Sequence, residues 1–419
     1  MSEILYMALL IPIVLVMMGT ENWVSSRKGR RFYHFGDTIT NLSCGLGQLA
    51  LSVYFTVLSF AGYRLVYKRF SLVHFPKGSW ITWVLALIGV DFCYYWYHRS
   101  GHRINFFWAF HNVHHQSEDL NFGVALRQAW FTDLAGAFFY WPLPLLGVAL
   151  PQFVASATFL CLYQICMHTN LLKKPGIMGL IFNTPSFHRV HHGSNVRYLD
   201  RNLGATLIVW DRLFGSFQEE DEEPRYGIVE PFRSLNPVWA QFHYFFKLAQ
   251  QLSQTKNPRD KLKLWIMPPG WTPEGFSRQN LSSKPTTAIP PFKTNAALSM
   301  QLYIGTQFTG LVLFTLLLLT QSTSLVNPLA FAELTFILGS LLSLGGLLES
   351  KRWAVLLEIT RHFLALLIFS YAGAMPARFV IFAVAMSEMW FFVLQSKSMI
   401  KAVPPQTMIG QREVESSHA

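Results

Sequence analysis

Long apolar runs, broken by short polar stretches, dominate the chain. A helix needs about 20 apolar residues to cross a bilayer, and helices can cross because they satisfy their own backbone in lipid. By that measure nine segments are predicted to span: Ile4–Gly19, Asn41–Tyr63, Ser79–Tyr97, Trp130–Leu150, Pro151–Met167, Leu302–Thr320, Pro328–Leu348, Trp353–Ala372 and Arg378–Leu394. Pro142, Pro144 and Pro151 mark a corner between the fourth and fifth. The stretch from Leu171 to about Asn295 is more polar, carries Pro-rich pieces such as Met267-Pro-Pro-Gly-Trp271, and is expected on the membrane face. The tail after Lys401 is polar and expected to be disordered. The fold class predicted is all-α, a multi-pass helical membrane protein.

Basic residues orient the segments. Arg27, Lys28, Arg30 and Arg31 follow the first run and assign that end to the cytoplasm. Counting onward delivers His98 and His168 to the same side, together with Lys351, Arg352, Lys397 and Lys401. Arg64, Lys68, Arg69 and Lys77 run against the count, which leaves a re-entrant second segment open.

Composition agrees. Only 14% of the 419 residues are charged, against about 25% in soluble domains. The net charge of +11 reads as orientation and contact with anionic lipid. No basic stripe with interleaved aromatics speaks for nucleic acid. Cys44, Cys93, Cys161 and Cys166 lie in apolar stretches and form no CxxC, which argues against thiolate metal sites and a disulfide framework. Glu3 ahead of the first run, with no small-residue cleavage site, reads as a retained anchor.

Nine of the fourteen histidines fall between positions 98 and 192. They come as His98-Arg-Ser-Gly-His102, His111-Asn-Val-His114-His115, a lone His168, and His188-Arg-Val-His191-His192. Positions i, i+3 and i+4 share a helix face, so each cluster can aim two or three imidazoles at one place. Eight or nine imidazoles suit two ions with some positions left open. A lone histidine is more often a surface or core residue, but His168 is brought back to the clusters by the predicted hairpin. His34, His74, His243, His362 and His418 stand outside the clusters and are assigned structural roles. Few carboxylates lie near, which disfavours calcium and magnesium. Imidazoles suit zinc, copper, iron or nickel. Two histidine-rich ions with open positions point to dioxygen chemistry, for which zinc has no redox states. Iron is the preferred reading, although composition alone leaves the choice open.

Polar residues near the clusters are candidates for orienting them. Asp91 precedes His98 by seven residues and His102 by eleven, on the same helical stripe. It is expected to accept a ring N–H or hold an arginine, with an ordinary helix-to-helix hydrogen bond as the equal alternative. Glu118 and Asn121 are expected to orient the second cluster, and Asp119 to be loop polarity. Asp200, Arg201, Asp211 and Arg212 read as ion-pair or turn residues. Glu358, Arg361 and His362 sit at i, i+3 and i+4 and can satisfy one another; Glu333 and Glu388 also lie within spans.

The HxxxH, HxxHH, HxxHH pattern resembles the fatty acid hydroxylase / sterol desaturase superfamily. Within it, the surrounding stretches are most similar to the alkylglycerol monooxygenase group. They are Tyr94-Tyr-Trp-Tyr-His-Arg99, Ser117-Glu-Asp-Leu-Asn121, Ala125-Leu-Arg-Gln128, Phe182-Asn-Thr-Pro-Ser-Phe-His-Arg-Val-His-His-Gly193, Trp210-Asp-Arg-Leu-Phe-Gly215 and Tyr226-Gly-Ile-Val229. The resemblance runs from about Asp37 to Phe232. It implies a catalytic domain at 37–232; the hydropathy pattern outside it divides into an N-terminal membrane anchor at 1–36, an interfacial linker at 233–297, a four-span region at 298–400 and a polar tail at 401–419.

It further implies a cytoplasmic di-metal cap of two iron ions held by His98, His102, His111, His114, His115, His168, His188, His191 and His192. Dioxygen and external electrons would oxidise a C–H site of a membrane lipid, an ether lipid being the first candidate. Arg103 departs from the group's glutamate after the second histidine, which puts the ether-lipid substrate in question. No pterin, flavin, haem or nicotinamide fingerprint is visible, so reductant is expected from a separate donor; a pterin is admitted only by the resemblance. Two other readings stay in view: a sterol-type desaturase or hydroxylase, and a histidine-lined metal transporter with ligands in mid-membrane.

Overall fold

The computed structural model describes residues 2–372 apart from 77, 174, 274–291, 295 and 321–327. The expected span Arg378–Leu394, Glu388, His418 and the polar tail lie outside the described residues. The helices are α1 (Ser2–Arg27), α2 (Phe35–Phe70), α3 (Trp80–Arg103), α4 (Asn105–His115), α5 (Thr132–Gly136), α6 (Pro142–Leu145), α7 (Leu150–Met167), α8 (Pro185–His191), α9 (Val209–Leu213), α10 (Pro237–Gln254), α11 (Pro258–Ile266), α12 (Leu298–Thr320), α13 (Pro328–Leu348) and α14 (Arg352–Ala372). Extended pairing among the described residues is limited to one isolated antiparallel bridge, Phe182 with Leu207.

Among the described residues, three helices are long and apolar enough to cross a membrane: α2, α7 and α13. They cover the second, fifth and seventh expected segments. α1, α3, α12 and α14 are single helices of 26, 24, 23 and 21 residues at four other expected places.

The fourth expectation fails. Trp130–Leu150 is no single helix but α5, a 3-10 turn at Ala137–Tyr140, and α6. The reason lies in its own residues. Pro142 and Pro144 lack the N–H that would continue a ladder, and Gly147 turns the chain at φ +85. A Cβ at Gly147 would also meet the Val73 carbonyl oxygen at 2.3 Å, so the corner is packed hard on the end of the α2–α3 loop.

Among the described residues, the largest apolar core joins α2, α12, α13 and α14 through Ile39, Leu46, Ile304, Leu341, Leu344 and Ile368. A smaller one joins α2, α3 and α7 through Tyr63, Val90, Val148 and Leu160. The C-terminal helices therefore buttress α2, and α2 lies between them and the histidine-bearing elements.

Candidate metal centre

Each histidine cluster sits where a helix ends or is about to end. α3 runs on past the expected boundary at Tyr97, so His98 and His102 occupy its last turns. Ile104 is extended, and α4 starts at once with the second cluster at its C-terminal end. His168 caps α7. α8 is started by the Thr184 side chain, which accepts from Phe187 N, and by Pro185 in its first turn; it is short enough that His192 is its cap.

These ends bring all nine imidazoles together, in two groups. His98, His102, His111, His115 and His191 form one; His114, His168, His188 and His192 form the other, with the ligand atoms of each group within 4.8 Å of one another. Both HxxHH clusters are shared out by the same rule. The i, i+4 pair of each goes to one group and the remaining histidine, about 100° round the helix, goes to the other. Thus His111 and His115 join the first group and His114 the second, while His188 and His192 join the second and His191 the first. Each cluster bridges the two groups.

Hydrogen bonds fix which nitrogens face inward. His98 Nδ1 lies 2.7 Å from the Leu203 carbonyl, His168 Nδ1 2.8 Å from that of Gln164, His191 Nδ1 3.0 Å from that of Arg201 and His114 Nδ1 3.2 Å from that of Arg127. A carbonyl can only accept, so each Nδ1 carries the proton and each Nε2 presents a lone pair. Yet His168 Nε2 lies 3.1 Å from His114 Nε2. Two lone pairs that close repel unless a cation sits between them. Among the described residues, His102 Nε2 and His191 Nε2 are buried and find no hydrogen-bond partner, and a buried polar atom without a partner needs an explanation. Burial pushes His114 down to about 4; burial and neighbouring imidazoles likewise hold His188, His191 and His192 well below the usual imidazole range. Neutral rings with inward lone pairs are what a metal takes. The residues present fit two metal ions.

Spacing within the groups narrows the geometry. Nε2–Nε2 separations are 2.9 Å for His98–His111, 3.1 Å for His111–His115, 3.0 Å for His168–His188 and 3.1 Å for His188–His192. With metal–nitrogen bonds of about 2.1 Å, ligands at 90° stand about 3.0 Å apart and tetrahedral ones about 3.4 Å. Separations of this size are within the reach of nitrogens that would share one ion.

The expected orienting residues do other work. Asp91 touches neither an imidazole nor an arginine. It accepts from Thr206 N at 2.7 Å, Leu207 N at 3.2 Å and Trp210 Nε1 at 2.8 Å, pinning the loop whose Leu203 carbonyl holds His98. Asp211 holds the same loop from the other side, through Leu203 N and Gly204 N at 2.7 Å each. Glu118 meets Arg233 and Phe292 N, and Asn121 donates to the Phe32 carbonyl and accepts from Gly123 N. Neither contacts a ring of the second cluster.

Asp200, read from sequence as a turn or ion-pair residue, is both. It has φ +57 and pairs with Arg103 at 3.3 Å, but it also stands 3.5 Å from His102 Nδ1. The residue missed was Arg127. It is buried, donates to Val113 O, Asn41 Oδ1 and Gln116 Oε1 at 2.9 Å each, and lends its carbonyl to His114. A lone arginine between two apolar runs was the available signal. His34 pairs with Asp119 at 2.7 Å, and His243 lies against Gln116 and the Phe232 ring.

Comparison with known proteins agrees with this geometry. The fatty acid hydroxylase family model matches residues 83–216. The human alkylglycerol monooxygenase is 32% identical over 83% of this chain and 79% of its own length; the Danio rerio protein of that name is 35% identical over 81% and 76%. The Delta(7)-sterol 5(6)-desaturase erg3A of Aspergillus fumigatus is 27% identical over 41% of this chain and 47% of its own. No solved structure matches. The histidine clusters and the similarity over four-fifths of its length lead to one conclusion: this chain belongs to the fatty acid hydroxylase family, with alkylglycerol monooxygenases among its relatives.

Proposed function

We propose that the chain is a non-haem di-iron lipid monooxygenase that oxidises a C–H bond of an alkylglycerol ether lipid at the cytoplasmic face of the membrane. The carrying observation is the pair His114 and His168, whose inward lone pairs stand 3.1 Å apart. Imidazole groups of this kind suit iron as well as zinc, copper or nickel. Iron adds redox states and so supplies the chemistry of dioxygen reduction. One oxygen atom enters the C–H bond and the other leaves as water, with two electrons and two protons drawn from a separate donor. Hydroxylation beside an ether oxygen yields a hemiacetal, which collapses to an aldehyde and a free alcohol.

The chain's own residues bind and orient. The carbonyls of Leu203, Arg127, Gln164 and Arg201 keep the four rings they hold in one tautomer, and Asp200 backs His102, a recurrent way to fix ligand direction. Burial of all but one of the nine histidines excludes bulk water. The cytoplasmic assignment rests on Arg27, Lys28, Arg30 and Arg31. A transport path would string ligands out, whereas these rings draw into two compact groups.

The test is metal analysis and lipid turnover on purified protein. About two irons per chain, and aldehyde release from an alkylglycerol that depends on dioxygen and reductant, are expected. Protein from iron-replete cells that holds no iron, or that oxidises no lipid, would end this reading.

A further inference from the structure

The second metal group joins two helix ends that no regular structure connects. α4 follows α3 across the single residue Ile104, whereas α8 is seven residues long with irregular chain on both sides. Yet Nε2 of His168, which caps α7, stands 3.0 Å from Nε2 of His188 on α8. The residue after His188 supplies the link. Arg189 is buried, and its five N–H donors meet five acceptors. Nε donates to Glu220 Oε1 at 2.8 Å and Nη2 to Glu220 Oε2 at 2.6 Å. Nη1 donates to the Thr169 and Leu172 carbonyls at 3.1 and 2.5 Å, and Nη2 also to that of Lys173 at 3.2 Å. Those three carbonyls belong to the stretch directly after His168.

Glu220 is held in turn by Ser186 of α8, whose hydroxyl donates to Oε2 at 2.6 Å. Carboxylate and guanidinium are thus braced on one short helix, and the free side of the fork grips the end of α7. The matching position of the second cluster is Asn112, which donates instead to the Trp108 and Ala109 carbonyls of its own helix. We propose that Arg189 is a positioning residue for the second metal group: it docks the chain after His168 on α8, so that His168 and His188 face one another before an ion arrives. The inference rests on the metal-centre reading. Charge alone would not suffice, since a lysine keeps the charge but has three donors on one nitrogen and no planar fork.

Full-length protein loaded anaerobically with iron(II) is mixed with excess chelator, and release of the ions is followed by absorbance. Arg189→Lys is expected to release one ion about tenfold faster and to leave the other within about twofold. In a His114→Ala background, which is expected to keep only the ion of the first group, adding Arg189→Lys should change nothing. Arg361→Met, destabilised far from the histidines, controls for general loosening and should move neither rate. If Arg189→Lys does not fold, Glu220→Gln decides, with about threefold faster release of one ion expected. Equal acceleration of both ions, unchanged release, or faster loss of the ion that remains in the His114→Ala background overturns the clamp. Wild-type protein that takes up no iron sinks the metal-centre reading and this proposal with it, whereas two ions held equally well by wild type and Arg189→Lys sink the clamp alone.

Discussion

Single residues decide whether the two groups fill. His114→Ala removes one of four rings in the second group, so metal content is expected to fall from about two to about one per chain, read by elemental analysis. Asp91→Ala strands the N–H groups of Thr206, Leu207 and Trp210. Each orphan costs about 1–3 kcal/mol, so unfolding in detergent should shift by several kcal/mol, with metal lost first from the group containing His98.

His243 carries a pH dependence. Burial holds it at about 4, below its ordinary 6.5, so the unfolded chain takes up that proton first. Stability therefore falls as pH drops from 6.5 towards 4, by at most about 3 kcal/mol. His243→Gln should flatten that slope in a thermal-melt series.

The division of each HxxHH cluster between two groups was hidden, since i, i+3 and i+4 read as one helix face, but the nine histidines were legible because their spacing repeats. What Asp91 would touch was not. Its partners lie 115 to 119 residues away on a loop with no periodicity to place it.

Helices were readable where proline stood no deeper than the first turn of an apolar run, as α2, α7 and α13 attest. The run at 130–150 was misread because hydropathy was counted without its punctuation: Pro142, Pro144 and Gly147 divide it. Close approach of elements was invisible in the sequence. A Cβ at Gly47 of α2 would stand 2.4 Å from Trp130 Nε1, which donates to the Cys44 carbonyl. Gly47→Val is thus expected to push α2 off the loop that carries Arg127. The loss should be about 1–3 kcal/mol of stability, with weaker metal retention in the group containing His114, read by dialysis against chelator.

Across the whole molecule, the C-terminal helices are tied together by charge as well as by apolar packing. Glu358 of α14 meets Arg361, Tyr303 of α12 and Ser343 of α13, and Arg361 also reaches Gln307. Arg361→Met leaves a buried carboxylate without its counter-charge and should cost about 3–5 kcal/mol, while the double change with Glu358→Met should recover most of it. Thermal unfolding checks both; metal content should not move in either.

At the opposite end, Glu21 of α1 accepts from the Tyr33 hydroxyl, from Phe122 N and from the hydroxyl of Thr169, the residue next after His168. One carboxylate thus staples the segment after the second cluster to the residue beside the lone histidine. The opening helix is a retaining wall for the histidine pocket, so trimming it to ease expression is expected to yield protein that still enters membranes but holds less metal in the group containing His168.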